Sequence, residues 1–193
     1  MSQTNRGDSG NYIPIRPQIL GSGKYKGFSL EEMMFRNYKF VNTLYLYSLH
    51  QNTSSPYAQH LRMLMESSNN LQIVDMCMDK SNELVEPCKN PVQYFGFSTS
   101  KDGQTSEICS MNTRCKEHAD SLLYDNKWRV YPIKFSSILK FTNNYQEKEL
   151  LELIKHVCGI KKFDAFSLFK FFFNSTLFPN LKSVKIEEQL NLL

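Results

Sequence analysis

Apolar residues recur at helical spacing after Phe28. Leu30, Met34, Tyr38, Val41, Tyr45 and Leu49 form one stripe, and Phe35, Phe40, Leu44 and Tyr47 add apolar surface elsewhere on the cylinder. Ser29 and Glu32 have the spacing of a capping box, and Phe28 and Met33 are placed as a hydrophobic staple. Glu31 and Glu32 fall in the first turn, where the helix dipole favours negative charge. The pattern predicts a helix from Ser29 to about Leu49. So apolar a helix is buried on more than one side, or it offers a face to a partner.

The pattern before this helix differs. Residues 1–10 are polar and read as a disordered tail. Ile13, Ile15, Ile19 and Leu20 are interleaved with Pro14 and Pro17, which forbids helix and favours an extended apolar arm. Gly21-Ser22-Gly23 reads as a flexible joint. Residues 1–22 are therefore expected to be an extended arm, and residues 23–193 a single α+β domain.

After a polar break, Pro56 opens a second helix to about Glu66, capped by Ser54 or Ser55, which makes a helical hairpin with the first. The period then changes. Residues 71–78, 92–97, 105–110 and 127–135 read as strands, with a turn at Lys101-Asp102-Gly103-Gln104. Pro132 confines the last of these to a sheet edge or a strand end. A small antiparallel sheet of three or four strands follows. Helical spacing returns over 146–158, stopped by Gly159, and again after Asp164, where Phe166, Leu168, Phe169, Phe172 and Phe173 are candidate core. Pro179 ends that segment, and residues 184–193 read as a last short helix or an ordered tail.

Composition adds three constraints. Apolar residues at 41% of 193 make a folded chain with a sizeable core. A net charge of +4 permits nucleic-acid contact without arguing for it, because a dedicated binder concentrates its basic residues. Five cysteines without an apolar leader read as reduced thiols in nucleus or cytoplasm. The apolar run at 163–173 is too short and too interrupted to span a bilayer, so no membrane partner is expected.

One stretch carries a family resemblance. Tyr25-x-x-x-Ser29-Leu30-Glu31-Glu32-Met33 followed by Asn37-Tyr38 resembles the GLEBS motif of an FG-repeat nucleoporin and of Bub-family checkpoint proteins. It departs at Met34, where the family usually carries an arginine; Arg36 follows two residues on. The resemblance implies docking on a WD-repeat β-propeller, with the Glu31-Glu32 pair meeting basic residues of the propeller.

Candidate chemistry is sparse. Cys109-x5-Cys115-x2-His118, with Cys88 or Cys77 as a further ligand, is the nearest approach to a metal site. Zinc signatures usually pair cysteines two to four residues apart, so ordinary thiols and no bound metal or cofactor are expected. Cys158 and His156 are close in sequence but fall on different helix faces, which argues against a nucleophile and its base. The reading is a non-catalytic interaction subunit or adaptor of a larger assembly. Ile13, Ile15, Tyr25, Phe28, Leu30, Glu31, Glu32, Met34 and Tyr38 would contact a protein partner. The alternative is a nucleic-acid module that stacks bases on Trp128 and Tyr131 among lysines.

Overall fold

The computed structural model describes residues 14–51, 54–77, 88–99, 108–123, 128–140 and 144–174. The architecture is α+β: among the described residues helices lie on either side in sequence of a three-stranded antiparallel sheet.

The first helix breaks where a single one is predicted. α1 spans Leu30–Arg36 and α2 spans Tyr38–His50. Asn37 separates them with φ −160° and ψ 77°, so it ends one helix and caps the next. Its Oδ1 accepts the Phe40 N–H at 3.0 Å, and its Nδ2 donates to the Tyr25 hydroxyl at 2.8 Å. A short side chain that satisfies an orphan helical N–H makes a turn competitive with continued helix. The capping box forms as expected: Glu32 N donates to Ser29 Oγ at 3.1 Å, and Ser29 N donates to Glu32 Oε2 at 2.8 Å.

The arm is tied to this start. Leu20 N donates to Phe28 O, Gly27 N to Leu20 O and Leu30 N to Gln18 O, all within 2.9 Å. Ile19 pairs with Ser29 in an antiparallel bridge. Gly23 and Gly27 take φ values of 78° and 93°, which glycine adopts without steric cost. The expected flexible joint is thus the turn of a small hairpin, and the boundary drawn at residue 22 falls inside it. Ile13 lies outside the described residues.

α3 spans Pro56–Asn69, with Ser55 as N-cap and Pro56 in the first turn, and packs on α2 as the expected hairpin. α5 spans Asn144–Val157 and α6 spans Ala165–Phe172, the latter capped by Asp164. Phe35 sits where these helices meet, its ring 5.0 Å from Phe135, 5.8 Å from Phe163 and 5.9 Å from Phe172. Leu30, Met33, Met34, Leu61, Leu64, Leu150 and Ile154 fill the space around it with no exposure. Burial of each such side chain contributes about 1.5–3 kcal/mol.

In the sheet, β1 (Tyr94–Thr99) lies between β2 (Ile108–Arg114) and β3 (Trp128–Pro132). β3 is an edge strand that ends on Pro132, as its proline requires. Phe95 and Phe97 are buried, and Tyr131 stacks on both at 5.8 and 5.7 Å. Two elements were not visible in the sequence pattern: α4 (Lys116–Leu123), which lies against the sheet, and a 3-10 segment over Phe135–Lys140. The strand expected over 71–78 is an extended segment with a single bridge, Met76 to Pro91. The predicted turn at 101–104 and the segment from Pro179 to Leu193 lie outside the described residues.

Candidate metal centre

Three backbone features bring distant residues to one place. The extended segment 73–77 is pinned to the end of α5, where Val74 N and Asp75 N donate to Val157 O at 2.8 and 3.2 Å. Cys77 N then donates to Asn90 O at 2.8 Å and Val92 N to Asp75 O at 3.1 Å, so 75–77 and 90–92 run antiparallel. Gln93 N donates to Arg114 O at 2.9 Å, which carries this pairing to the end of β2. Cys115 directly follows β2 and precedes α4, with Ala119 N donating to Cys115 O at 3.0 Å. His118, three residues on, lies in the first turn of α4 and turns back toward Cys115.

Cys77, Cys88, Cys115 and His118 therefore converge. The three sulfurs and the nearest histidine nitrogen all lie within 4.8 Å of one another. Cys115 Sγ is 3.3 Å from His118 Nδ1, Cys77 Sγ is 3.6 Å from the same nitrogen, and Cys88 Sγ is 3.8 Å from Cys115 Sγ. Cys77 and Cys115 are buried, whereas Cys88 and His118 are half-buried, so one side of the cluster faces solvent. Asn90 Nδ2 donates to Glu117 Oε2 at 3.1 Å, which joins the loop that carries Cys88 to the helix that carries His118.

The thiols differ electrostatically. Burial raises the Cys115 thiol, but N–H donors of His118 and Glu117 and the neighbouring cysteines outweigh it and lower its pKa. A sulfur at a helix N-terminus is favoured as thiolate for this reason. At Cys88 the Asn90 N–H favours the thiolate, but desolvation and the neighbouring sulfurs together raise its pKa. Cys158 is different again. Burial pushes it up to about 12, so it is a core thiol and not a nucleophile at neutral pH.

The irregular spacing gives no reason to expect a four-residue cluster, yet Cys77, Cys88, Cys115 and His118 come together. The pairing Cys115-x2-His118 was in view, but its partners are Cys77 and Cys88 together. Cys109 is the wrong member of the expected set. It lies in β2 six residues before Cys115, about 20 Å along an extended strand. The available signal was the short Cys-x2-His pair at a strand-to-helix junction; α4 itself was not recognised.

The expected partner-binding residues are distributed otherwise. Leu30, Glu31, Met34 and Tyr38 are buried within the chain, so a partner cannot reach them in this fold. Glu31 Oε1 is 2.7 Å from His60 Nε2, both side chains having no exposure. Tyr25 and Phe28 are half-buried against the core, Tyr25 braced on the Phe40 ring at 4.8 Å and Phe28 covered by the Arg36 guanidinium at 4.4 Å. Glu32 is occupied in the capping box. Ile15 is 44% exposed. Of the aromatic platform of the nucleic-acid alternative, Trp128 and Tyr131 are both half-buried, and Tyr131 stacks on buried Phe95 and Phe97.

A cleft of about 450 Å³ lies between the α1–α2 corner and α5. Two of its charged side chains, Lys39 and Glu147, pair across it at 2.9 Å. No family model, curated protein or solved structure matches this chain. Among the described residues no helix is long and apolar enough to cross a membrane.

Proposed function

We propose that the chain is a non-catalytic interaction subunit, and that it docks through the outer face of α2 rather than through α1. The observation that carries this reading is a set of exposed apolar side chains on one helical turn. Leu46, Tyr47 and Leu49 occupy the last turns of α2 and are 48%, 64% and 43% exposed. Single surface leucines need no explanation, but three large apolar side chains exposed on one helical turn, with Leu46 between Tyr47 and Leu49 around the cylinder, suit an interface. A helix that offers such a face fits an apolar groove on a partner protein. Ile15 and Ile19, exposed beside the start of α1, are further apolar contacts that the arm could supply.

The buried position of Glu31 supports this choice of face. Propeller docking through the Glu31-Glu32 pair would have to break the contact with His60 first. The test is native affinity purification of the full chain beside the variant Leu46→Glu/Tyr47→Ala/Leu49→Glu, with thermal unfolding of both. The reading expects a stoichiometric heterologous partner that is lost with the variant while the unfolding midpoint holds. Retention of every partner by the variant overturns it. So does light scattering that shows the wild-type chain to be a homodimer which the variant dissociates.

A further inference from the structure

We propose that Cys77, Cys88, Cys115 and His118 bind one zinc ion as a closed structural site that clamps the paired segments 75–77 and 88–92 to the sheet and α4. Tetrahedral zinc takes sulfur at about 2.3 Å and imidazole nitrogen at about 2.0–2.1 Å, so neighbouring ligand atoms should be about 3.8 Å apart for two sulfurs and about 3.6 Å for sulfur and nitrogen. The corresponding separations are 3.8 Å between Cys88 and Cys115, and 3.6 and 3.3 Å from His118 Nδ1 to Cys77 and Cys115. These three separations match three edges of such a tetrahedron, and the other three are within 4.8 Å.

Hydrogen bonds among thiols account for the arrangement less well. His118 Nδ1 offers one lone pair or one N–H, yet two sulfurs approach it at similar distances. An ion at the centre serves both sulfurs and the third together. The donor set also selects the metal. Three thiolates and one imidazole suit a soft-to-borderline cation in a tetrahedral field, which excludes calcium and magnesium. Four protein ligands complete the coordination of zinc and leave no position for a reacting water, so the role is structural. Binding replaces one proton on each of the three thiols, and those protons pass to solvent.

The site has the features that hold structural ligands in place. Backbone N–H groups of Asn90, and of Glu117 and His118, point at the sulfurs of Cys88 and Cys115 respectively. Such donors offset the negative charge of a zinc trithiolate. The half-exposed Cys88 and His118 give the ion a way in from solvent.

The test is metal analysis of the full chain, followed by cobalt substitution. The expected results are one zinc per chain, and for the cobalt form the charge-transfer bands of cobalt–thiolate bonds with the intense visible absorption of a tetrahedral site. Cys88→Ser and His118→Ala should lose zinc to a chelating dye. His118→Cys should keep it, because four cysteines form an equally competent set. Cys109→Ser and Cys158→Ser should retain full stoichiometry. A chain without zinc, a weakly absorbing octahedral cobalt spectrum, or loss of the metal from Cys109→Ser overturns the proposal. If the ligand variants do not fold, the cobalt spectrum of the wild-type chain decides alone.

Discussion

Glu31 Oε1 and His60 Nε2 are 2.7 Å apart with neither side chain reaching solvent, and this contact joins α1 to α3 across the helical core. The His60 ring lies among Phe169 and Phe173, 6.4 and 5.0 Å away. Glu31 Oε2 has no hydrogen-bond partner among the described residues, so His60 is what makes the buried carboxyl tolerable. The residue that most suggested an external contact in the sequence is an internal strut.

The first prediction follows from that contact. Removing one member of a buried pair costs about 1–3 kcal/mol for a neutral hydrogen bond and about 3–5 kcal/mol for an ion pair. Glu31→Ala should therefore lose stability within that span in denaturant titration. Glu31→Leu/His60→Leu should lose less than the sum of its single variants, since neither partner is left stranded. The neighbour behaves differently. Glu32→Gln keeps the capping box and should shift stability by less than about 0.5 kcal/mol. Native stability of Glu31→Ala would show that the pair contributes nothing.

Much of the helical scaffold was legible because its signals are local. Ser29 with Glu32, Pro56 behind Ser55, and Asp164 each mark a helix start through their own hydrogen bonds. The break at Asn37 was not legible. Its side chain competes with an otherwise continuous apolar period, and the Tyr25 hydroxyl that holds it comes from twelve residues away in sequence. The metal cluster was hidden for the same kind of reason. Cys77 and Cys88 are brought to Cys115 by pairing of 75–77 with 90–92 and of Gln93 with Arg114, which no one-dimensional spacing records. Exposure of Glu31 was misjudged because a polar residue in a first helical turn usually faces solvent. Only its match to His60 on another helix reverses that.

A second prediction concerns Gly159, which ends α5 with φ +65°. A Cβ there would meet Val74 Cγ2 at 3.1 Å, on the segment that leads to Cys77. The left-handed backbone alone costs a residue with a side chain about 1–2 kcal/mol. Gly159→Ala should lose at least that in denaturant titration, more than the few tenths typical of a surface change. An unchanged midpoint would show that the turn relaxes freely.

The third prediction places the effect of metal removal. Chelation should raise amide hydrogen exchange in 75–77, 88–93 and 112–118, the segments that the cluster joins. Exchange in α1, α2 and α3 should change less, because none of the four ligands lies on those helices, although one core cluster runs through both regions. Uniform loss of protection would instead mean that the clamp holds the whole fold. No change anywhere would mean that no clamp exists.

The decisive question is whether three sulfurs and one imidazole, and nothing else, surround a metal in this chain. X-ray absorption at the zinc edge measures this directly on the purified protein. The predicted first shell is three sulfurs at about 2.3 Å and one nitrogen at about 2.0–2.1 Å, with no additional oxygen. A shell of light atoms only, or two sulfurs with a bound water, would contradict it.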